Sequence, residues 1–265
     1  MNAPIGVIDS GVGGLTVLKE LIHRLPNEQF IYIGDTARCP YGPRTAHEVR
    51  KFTWQMAEAL QNQSIKMLVV ACNTATAVAL ESLQKNCPFP VVGVIFPGAR
   101  AAIKATTRSE ICILGTTGTI RSGAYEEAIK SLSSSSSIVP FACPAFVPLV
   151  ESDEYEGEFA RDLVAKTLEP LKKASFDTLI LGCTHYPLLQ KHIEAAVGNH
   201  IKVLSSAEET AEDVMELLTY YHLHQETPST EPHVFYTTGS IPMFKSIVTK
   251  WLEIDEPNIQ SIEFE

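Results

Sequence analysis

Eight short, continuously apolar segments recur along the sequence, and they constrain the fold more than any other feature. Most of them lack a polar–apolar alternation, which is typical of strands buried on both faces of a parallel sheet. Amphipathic helical patterns stand between them, as in LTVLKELIHRL (15–25). Regular strand–helix alternation predicts an α/β fold with helices covering mostly parallel sheets. The predicted strands are 5–9, 30–35, 66–72, 89–95, 110–116, 137–143, 177–183 and 201–205, and a further strand-like segment spans 233–239.

Two helix starts carry a capping signal. Thr45 is followed three residues later by Glu48, and Ser206 is followed three residues later by Glu209. A hydroxyl residue and a glutamate at this spacing can satisfy each other's free backbone N–H groups. We therefore predict capping boxes at the starts of the helices that follow Thr45 and Ser206.

The charge balance of the chain limits its partners. It has 265 residues and a formal net charge of −10, which argues against general binding to nucleic acid or to membrane surfaces. No apolar stretch is long enough to cross a membrane. The start of the sequence lacks the basic and apolar regions of a signal peptide, so a cytoplasmic location is expected.

Six cysteines are expected to be reduced thiols in that compartment. No CxxC pair occurs, and the spacing of cysteine and histidine along the chain predicts no zinc site. No other metal or cofactor is predicted. The cysteines are Cys39, Cys72, Cys87, Cys112, Cys143 and Cys183.

An internal repeat runs through these segments. IGVIDSGVGG (5–14) is matched by ICILGTTGTI (111–120), and VVACNTATA (69–77) is matched by LILGCTHYP (179–187). The repeat predicts two pseudo-symmetric α/β lobes with the active site in the cleft between them. Residues 1–96 and 207–265 are assigned to the first lobe, and residues 97–206 to the second.

Polar residues follow most of the predicted strands. Ligands of open α/β sheets bind outside the carboxyl ends of the strands, so these residues are expected to share one cleft. They are Asp9, Ser10, Asp35, Cys72, Asn73, Thr74, Thr116, Thr117, Cys143, Cys183, Thr184 and His185.

Cys72 and Cys183 occupy matching places in the repeat. Each ends a predicted strand just before a helix start, whose free N–H groups favour a thiolate. Two thiols facing each other across a cleft suit the inversion of a carbon stereocentre. One thiolate removes the proton from one face, and the other thiol supplies a proton from the opposite face. Their titrations would then be coupled.

Three further residues are candidates to assist the thiols. Asp9 ends the first predicted strand and can hold or relay a proton near Cys72. His185 lies two residues after Cys183 and can polarise that thiol. Glu151, which follows FVPLV, is a further candidate.

Two glycine-containing turns are candidates for binding a carboxylate. DSGVGGL (9–15) does not match GxGxxG, so no dinucleotide site is predicted. Its amides and hydroxyl groups can instead bind a carboxylate. In PYGPRT (40–45), the amides of Tyr41 and Gly42 can do the same, although a plain surface turn remains an alternative.

Five motifs together resemble the signatures of bacterial glutamate racemases, of the aspartate/glutamate racemase family, in their order and spacing. The resemblance covers almost the whole chain. The motifs are IGVIDSGVGGLTVL, IYIGDTARCPYG, VVACNTATA, LGTTGTIRSGAY and LILGCTHYPLL.

The resemblance implies an enzyme that interconverts L- and D-glutamate without pyridoxal phosphate or metal and supplies D-glutamate for peptidoglycan. Cys72 would act on the D-isomer and Cys183 on the L-isomer, with assistance from Asp9, Glu151 and His185. A homodimer is also implied. The substrate-contact positions implied by the resemblance are Asp9, Ser10, Tyr41, Gly42, Asn73, Thr74, Thr184 and His185, with Thr116, Thr117 and Thr119 in a segment that lines the pocket.

Three alternatives remain at this point. An aspartate racemase would share the fold and both cysteines. A cysteine hydrolase would use Cys183 with His185, but the second copy around Cys72 would have no role. A protein-binding role is the third, because some relatives inhibit DNA gyrase.

Overall fold

The computed structural model describes residues 3–265, and its strands form two parallel sheets. The first sheet has the strand order β10-β9-β2-β1-β3-β4, and the second has the order β6-β5-β7-β8. The strands are β1 (Ile5–Asp9), β2 (Phe30–Gly34), β3 (Met67–Val70), β4 (Val91–Gly93), β5 (Glu110–Gly115), β6 (Ser137–Ala142), β7 (Thr178–Gly182), β8 (Lys202–Ser205), β9 (Val234–Thr237) and β10 (Asn258–Ser261).

Helices cover both sheets, so the predicted two-lobed α/β fold class is confirmed. The helices are α1 (Leu15–Arg24), α2 (Ala46–Gln61), α3 (Asn73–Asn86), α4 (Ile95–Ala105), α5 (Thr117–Ser122), α6 (Ala124–Leu132), α7 (Phe146–Glu151), α8 (Glu158–Leu168), α9 (Gln190–Val197), α10 (Ala207–Tyr220) and α11 (Ile241–Leu252). Short 3-10 helices span Glu169–Lys173 and Tyr186–Leu189.

Adjacent strand residues show why the strand segments are continuously apolar. Val7 and Ile8 point to opposite faces of β1, and both are fully buried in different core clusters. Cys112 and Ile113 do the same in β5. Each central strand is therefore buried on both faces, which is the arrangement that a run of apolar residues favours.

The two sheets share one strand order over four strands. The order β2-β1-β3-β4 in the first sheet corresponds to β6-β5-β7-β8 in the second, in agreement with the repeat. The first sheet gains β9 and β10 at its β2 edge. The lobe boundaries at residues 96 and 206 stay a prediction.

Some local predictions were wrong. The segment 89–95 was predicted as one strand, but only Val91–Gly93 is extended, because α4 already begins at Ile95. Strand β10 was not predicted. The Thr45 capping box is present, whereas the Ser206 side chain makes no cap. Ser206 has a helical backbone conformation, and the hydroxyl of Ser205 accepts the Ala207 N–H instead.

None of the helices described within residues 3–265 is long and apolar enough to span a membrane.

Candidate active site

The two repeated cysteines follow equivalent strands of the two sheets. Cys72 comes after β3, which lies beside β1, and Cys183 comes after β7, which lies beside β5. In the first sheet the strand that follows β1 pairs on one side of it and β3 pairs on the other. In the second sheet β6 and β7 flank β5 in the same way. The thiols therefore stand beside the two points where strand order reverses, which is where α/β sheets bind ligands.

A small cavity between the lobes is lined by both thiols. The space open to the centre of a water-sized molecule is about 10 Å³, which is room for about one water by that measure. The two lobes therefore approach each other closely around the thiols. The lining residues are Ser10, Pro40, Tyr41, Gly42, Cys72, Asn73, Thr74, Thr116, Val147, Cys183, Thr184 and His185.

Cys72 caps the N-terminus of α3. Its Sγ accepts the backbone N–H of Ala75 at 3.4 Å and lies 3.6 Å from Ser10 Oγ. Burial nevertheless raises the pKa of the Cys72 thiol to about 12, and the nearby charge of Asp9 adds to this rise. The helix start lowers this pKa as expected from the sequence, but burial outweighs it, so Cys72 is a thiol in this closed arrangement.

Cys183 has a histidine and a carboxylate behind it. Its Sγ lies 3.8 Å from His185 Nδ1, and His185 Nε2 lies 2.6 Å from Glu151 Oε1. Burial by itself lowers the pKa of His185, but its hydrogen bonds and charge interactions with Cys183 and Glu151 raise it to about 10. His185 is therefore an imidazolium at neutral pH, able to hold negative charge on the sulfur.

Asp9 ends β1 and is not among the residues that line the cavity. Its side chain is fully buried, accepts the N–H of Gly11 at 3.0 Å and lies 3.4 Å from the Thr184 hydroxyl. Burial raises the pKa of Asp9, and the charge of His185 partly offsets that rise. Asp9 therefore links the β1 end of the first sheet to the loop that carries His185.

The hydroxyl groups of Thr74, Thr116 and Thr119 form a triangle across the two lobes. Their oxygens lie 2.9–3.1 Å apart. Beside them, the Asn73 side chain accepts the Tyr125 hydroxyl at 2.7 Å. Asn73 Nδ2 is buried and finds no hydrogen-bond partner among residues 3–265. Such an unpaired donor is rare, and one that lines a cavity is suited to an anionic ligand.

The remaining predicted positions are placed at different distances from the cavity. Tyr41 and Gly42 line it, but the Tyr41 hydroxyl points away and donates to Asp35. Thr117, at the first position of α5, is outside the cavity lining, as is the side chain of Thr119.

Gly13 allows the first lobe to reach the loop after β7. A Cβ at this position would overlap the Thr184 hydroxyl and the His185 ring. In the same region the Thr16 hydroxyl donates a hydrogen bond to the Thr184 carbonyl oxygen at 3.0 Å. The tight glycine turn predicted from DSGVGGL therefore serves close packing between the lobes.

Sequence reasoning missed Cys39 as a neighbour of the site. Its Sγ lies 3.7 Å from Glu151 Oε1, the same oxygen that contacts His185 Nε2. The two residues are 112 positions apart, and no local pattern connects them.

We expect the Glu151–His185 pair to make stability depend on pH. The folded pKa of His185 is raised to about 10, so its contribution is complete below about pH 6.5 and is lost as pH rises through about 10. Glu151→Gln should flatten this decline in the free energy of unfolding. Urea unfolding at several pH values between about 7 and 10 measures it.

The exposed Glu154→Gln, which removes the same charge from the neighbouring loop, is the matched control. It should follow the wild-type pH dependence. Parallel curves for Glu151→Gln and the wild type would show that Glu151 has no share in the raised pKa of His185, which Cys183 would then cause without it.

Two parallel sheets each bring a cysteine to one small cavity, and comparison with known proteins shows which class of enzyme has this fold. A family profile described as Asp/Glu/Hydantoin racemase matches residues 5–214. The chain belongs to this racemase family and is therefore an isomerase.

Individual relatives are similar over nearly the full chain. A glutamate racemase of Lysinibacillus sphaericus is 68% identical over 253 residues, covering 96% of each chain. The crystal structure of a glutamate racemase from Bacillus anthracis is 44% identical, with a TM-score of 0.94 over 98% of this chain and 97% of the other. The Francisella tularensis enzyme in complex with D-glutamate is 30% identical, with a TM-score of 0.91 over 99% and 98%.

Proposed function

We propose that this protein interconverts L- and D-glutamate by proton transfer at Cα between Cys72 and Cys183, without a cofactor. The observation that carries the proposal is the position of the two thiols. They follow equivalent strands, β3 and β7, and line one cavity from different lobes. The relatives named as glutamate racemases support glutamate as the substrate.

Each thiol performs half of the inversion. For L-glutamate, the Cys183 thiolate removes the Cα proton, and the Cys72 thiol delivers its own proton to the opposite face. The product is D-glutamate, with Cys72 left as the thiolate. The reverse reaction exchanges the roles. One proton is taken and one is given, so the thiols supply both the base and the acid.

The two thiols receive different assistance. The imidazolium of His185, held by Glu151, stabilises negative charge on Cys183 at a distance of 3.8 Å. Cys72 has the Ala75 N–H, Ser10 and the nearby carboxyl group of Asp9. The two enantiomers of the substrate would place their side chains in the same pocket. Their Cα protons would then point to different thiols, which fits the different surroundings of Cys183 and Cys72.

The polar lining supplies donors for the carboxylates of an acidic amino acid. Asn73 Nδ2 is the unpaired donor, and the hydroxyls of Thr74, Thr116 and Thr184 lie nearby in the lining. Amide and hydroxyl donors can hold a carboxylate without an arginine. Thr117 and Thr119 would contribute through the position of α5 rather than by lining the cavity.

Glutamate is larger than the space between the thiols. Because that space is about 10 Å³, the lobes would have to separate to admit the substrate and close again around it. Closure excludes water, which strengthens the electrostatic interactions around the reacting carbon.

The biological role follows from the product. We propose that the enzyme is cytoplasmic, acts as a homodimer and supplies D-glutamate for peptidoglycan. A glutamate racemase from Escherichia coli whose structure contains an activator, UDP-MurNAc-Ala, supports a connection with this pathway.

The first experiment follows the circular dichroism of L-glutamate mixed with the pure protein in EDTA. Decay of the signal to zero is expected, and no decay with folded protein would contradict the proposal. L-aspartate in a parallel reaction separates the aspartate racemase alternative. A hydrolase screen tests the nucleophile alternative, in which Cys72 would be dispensable.

We expect Asn73→Ala to weaken substrate binding. A hydrogen bond to a charged group contributes about 1.5–3 kcal/mol, so KM should rise by about 10-fold or more in both directions. Initial rates with each enantiomer measure it. Asn86→Ala, at the exposed end of the same helix, is the control and should leave KM unchanged.

A further inference from the structure

A second chemical cluster lies directly behind the thiol cavity. Cys39, Glu151 and His185 come from three separate segments, and their ligating atoms all lie within 4.8 Å of one another. Cys39 Sγ is 3.7 Å from Glu151 Oε1, which is 2.6 Å from His185 Nε2. One sulfur, one nitrogen and one carboxylate oxygen converge at this point.

We propose that these three side chains bind a divalent transition cation, with Zn²⁺ as the best fit, and that the bound ion inhibits the enzyme. Thiolate, imidazole and carboxylate are the zinc ligands of proteins, with bond lengths of about 2.0–2.3 Å. Two such ligands on a tetrahedral ion are about 3.3–3.7 Å apart.

Of the distances within the cluster, one already meets this range and another must change. The Sγ–Oε1 distance of 3.7 Å already fits. The Oε1–Nε2 hydrogen bond of 2.6 Å must lengthen by about 0.7 Å, because the ion replaces the shared proton. The protons of Cys39 and His185 leave to solvent when the ion binds. Water takes the fourth position.

The backbone leaves room for the cluster. Gly11 packs against it, and a Cβ at Gly11 would lie 3.0 Å from Cys39 Sγ and 3.4 Å from Glu151 Oε1. The Glu151 side chain is 28% exposed, so solvent can reach the cluster.

A route to the cluster is separate from the thiol cavity. Glu151 lines a second cavity of about 180 Å³, together with Val12, Thr36, Ser240 and Met243. A hydrated cation can therefore reach Glu151 from the α11 side without passing between Cys72 and Cys183.

The consequence for activity rests on the proposed function. An ion on Nε2 takes the place of the proton that His185 shares with Glu151, and it occupies Glu151 at the same time. Because the Oε1–Nε2 distance must lengthen, the ring moves relative to Cys183 and leaves the position from which it stabilises negative charge on the sulfur. Because the ion does not enter the thiol cavity, we expect it to lower kcat more than it raises KM.

Binding is tested with Co²⁺ as the probe, independently of activity. Thiolate ligation gives Co²⁺ a near-ultraviolet charge-transfer band. The Cys72→Ser/Cys183→Ser variant keeps the cluster and should show this band, and adding Cys39→Ser should abolish it. Adding Cys87→Ser, a half-buried cysteine at the end of α3, should leave it intact. No band, or one that survives Cys39→Ser, overturns the site.

Inhibition is tested with Zn²⁺ in racemase assays without chelator. Cys39→Ser should retain basal turnover and require at least about 10-fold more Zn²⁺ for half-inhibition. Equal inhibition of the wild type and Cys39→Ser would overturn the inhibitory role and place the inhibiting ion on the reacting thiols. If neither the wild type nor Cys39→Ser racemises glutamate in the absence of Zn²⁺, the proposed function fails, while the Co²⁺ band still decides the metal site.

Discussion

Replacing either reacting thiol with a hydroxyl, as Cys72→Ser or Cys183→Ser, is expected to reduce racemisation in both directions by about 10³-fold or more. Serine keeps the shape of the site but has a far higher pKa than cysteine, so it is a poor base and a poor acid. Positioned general acids and bases contribute about 10²–10⁴-fold each. Loss of one thiol interrupts both directions, because inversion requires a base on one face and an acid on the other.

The two variants should nevertheless differ in a partial reaction. Cys72→Ser retains Cys183 and should exchange the Cα hydrogen of L-glutamate for deuterium without inverting it. Cys183→Ser should do this with D-glutamate. Loss of the Cα proton signal by NMR in D₂O measures the exchange, with the buried Cys112→Ser in β5 as a thiol control.

The outcome distinguishes two mechanisms. Opposite enantiomer preferences in the two serine variants would support one thiol on each face of the substrate. Full racemisation by Cys72→Ser would contradict the proposal and favour a single base acting on both faces.

His185→Asn is expected to lower kcat by about 10²-fold or more, again within the range for acid–base groups. Asparagine keeps a polar atom close to the position of Nδ1 but cannot carry the positive charge. In the folded protein His185 is fully buried between Cys183 and Glu151. Its loss therefore leaves Glu151 without its partner and Cys183 without a neighbouring cation.

The exposed His200→Asn is the matched control and should retain full activity. Deprotonation of the imidazolium is expected to lower the kcat of the wild type as pH rises towards about 10, and the His185 variant should lack this fall. A His185→Asn enzyme with unchanged kcat and an unchanged pH profile would show that the imidazolium has no part in the reaction.

The fold could be predicted where burial alone determines the sequence. Strands β1, β3, β5 and β7 are covered on both faces, so their residues are apolar except at strand ends, where Asp9, Glu110 and Thr178 lie. Strand β10 lies at a sheet edge, and its NIQS sequence is polar enough to resemble a loop. Strand β6 also lies at an edge and contains Pro140, but its apolar residues still allowed it to be predicted.

The site could be predicted where its residues follow strands in the repeat. Cys72, Cys183 and Asp9 are of this kind. The pairing of Glu151 with His185 is different, because it depends on how the end of α7 packs against the loop after β7. Cys39 contacts Glu151 at a place where Gly11 packs closely against both side chains. Such contacts depend on tertiary packing that no sequence spacing records.

The two sheets differ in when their strands leave the ribosome. Strands β5–β8 are contiguous in the chain, whereas the six-stranded sheet is completed by β9 and β10, from the last part of the chain. Domains generally fold as units during synthesis. Here the second sheet can be assembled while the first still has β2 as an open edge, a site for unwanted strand pairing. All strands of the sheet that carries Cys183 are therefore synthesised before the sheet that carries Cys72 is complete, although Cys72 comes first in the chain.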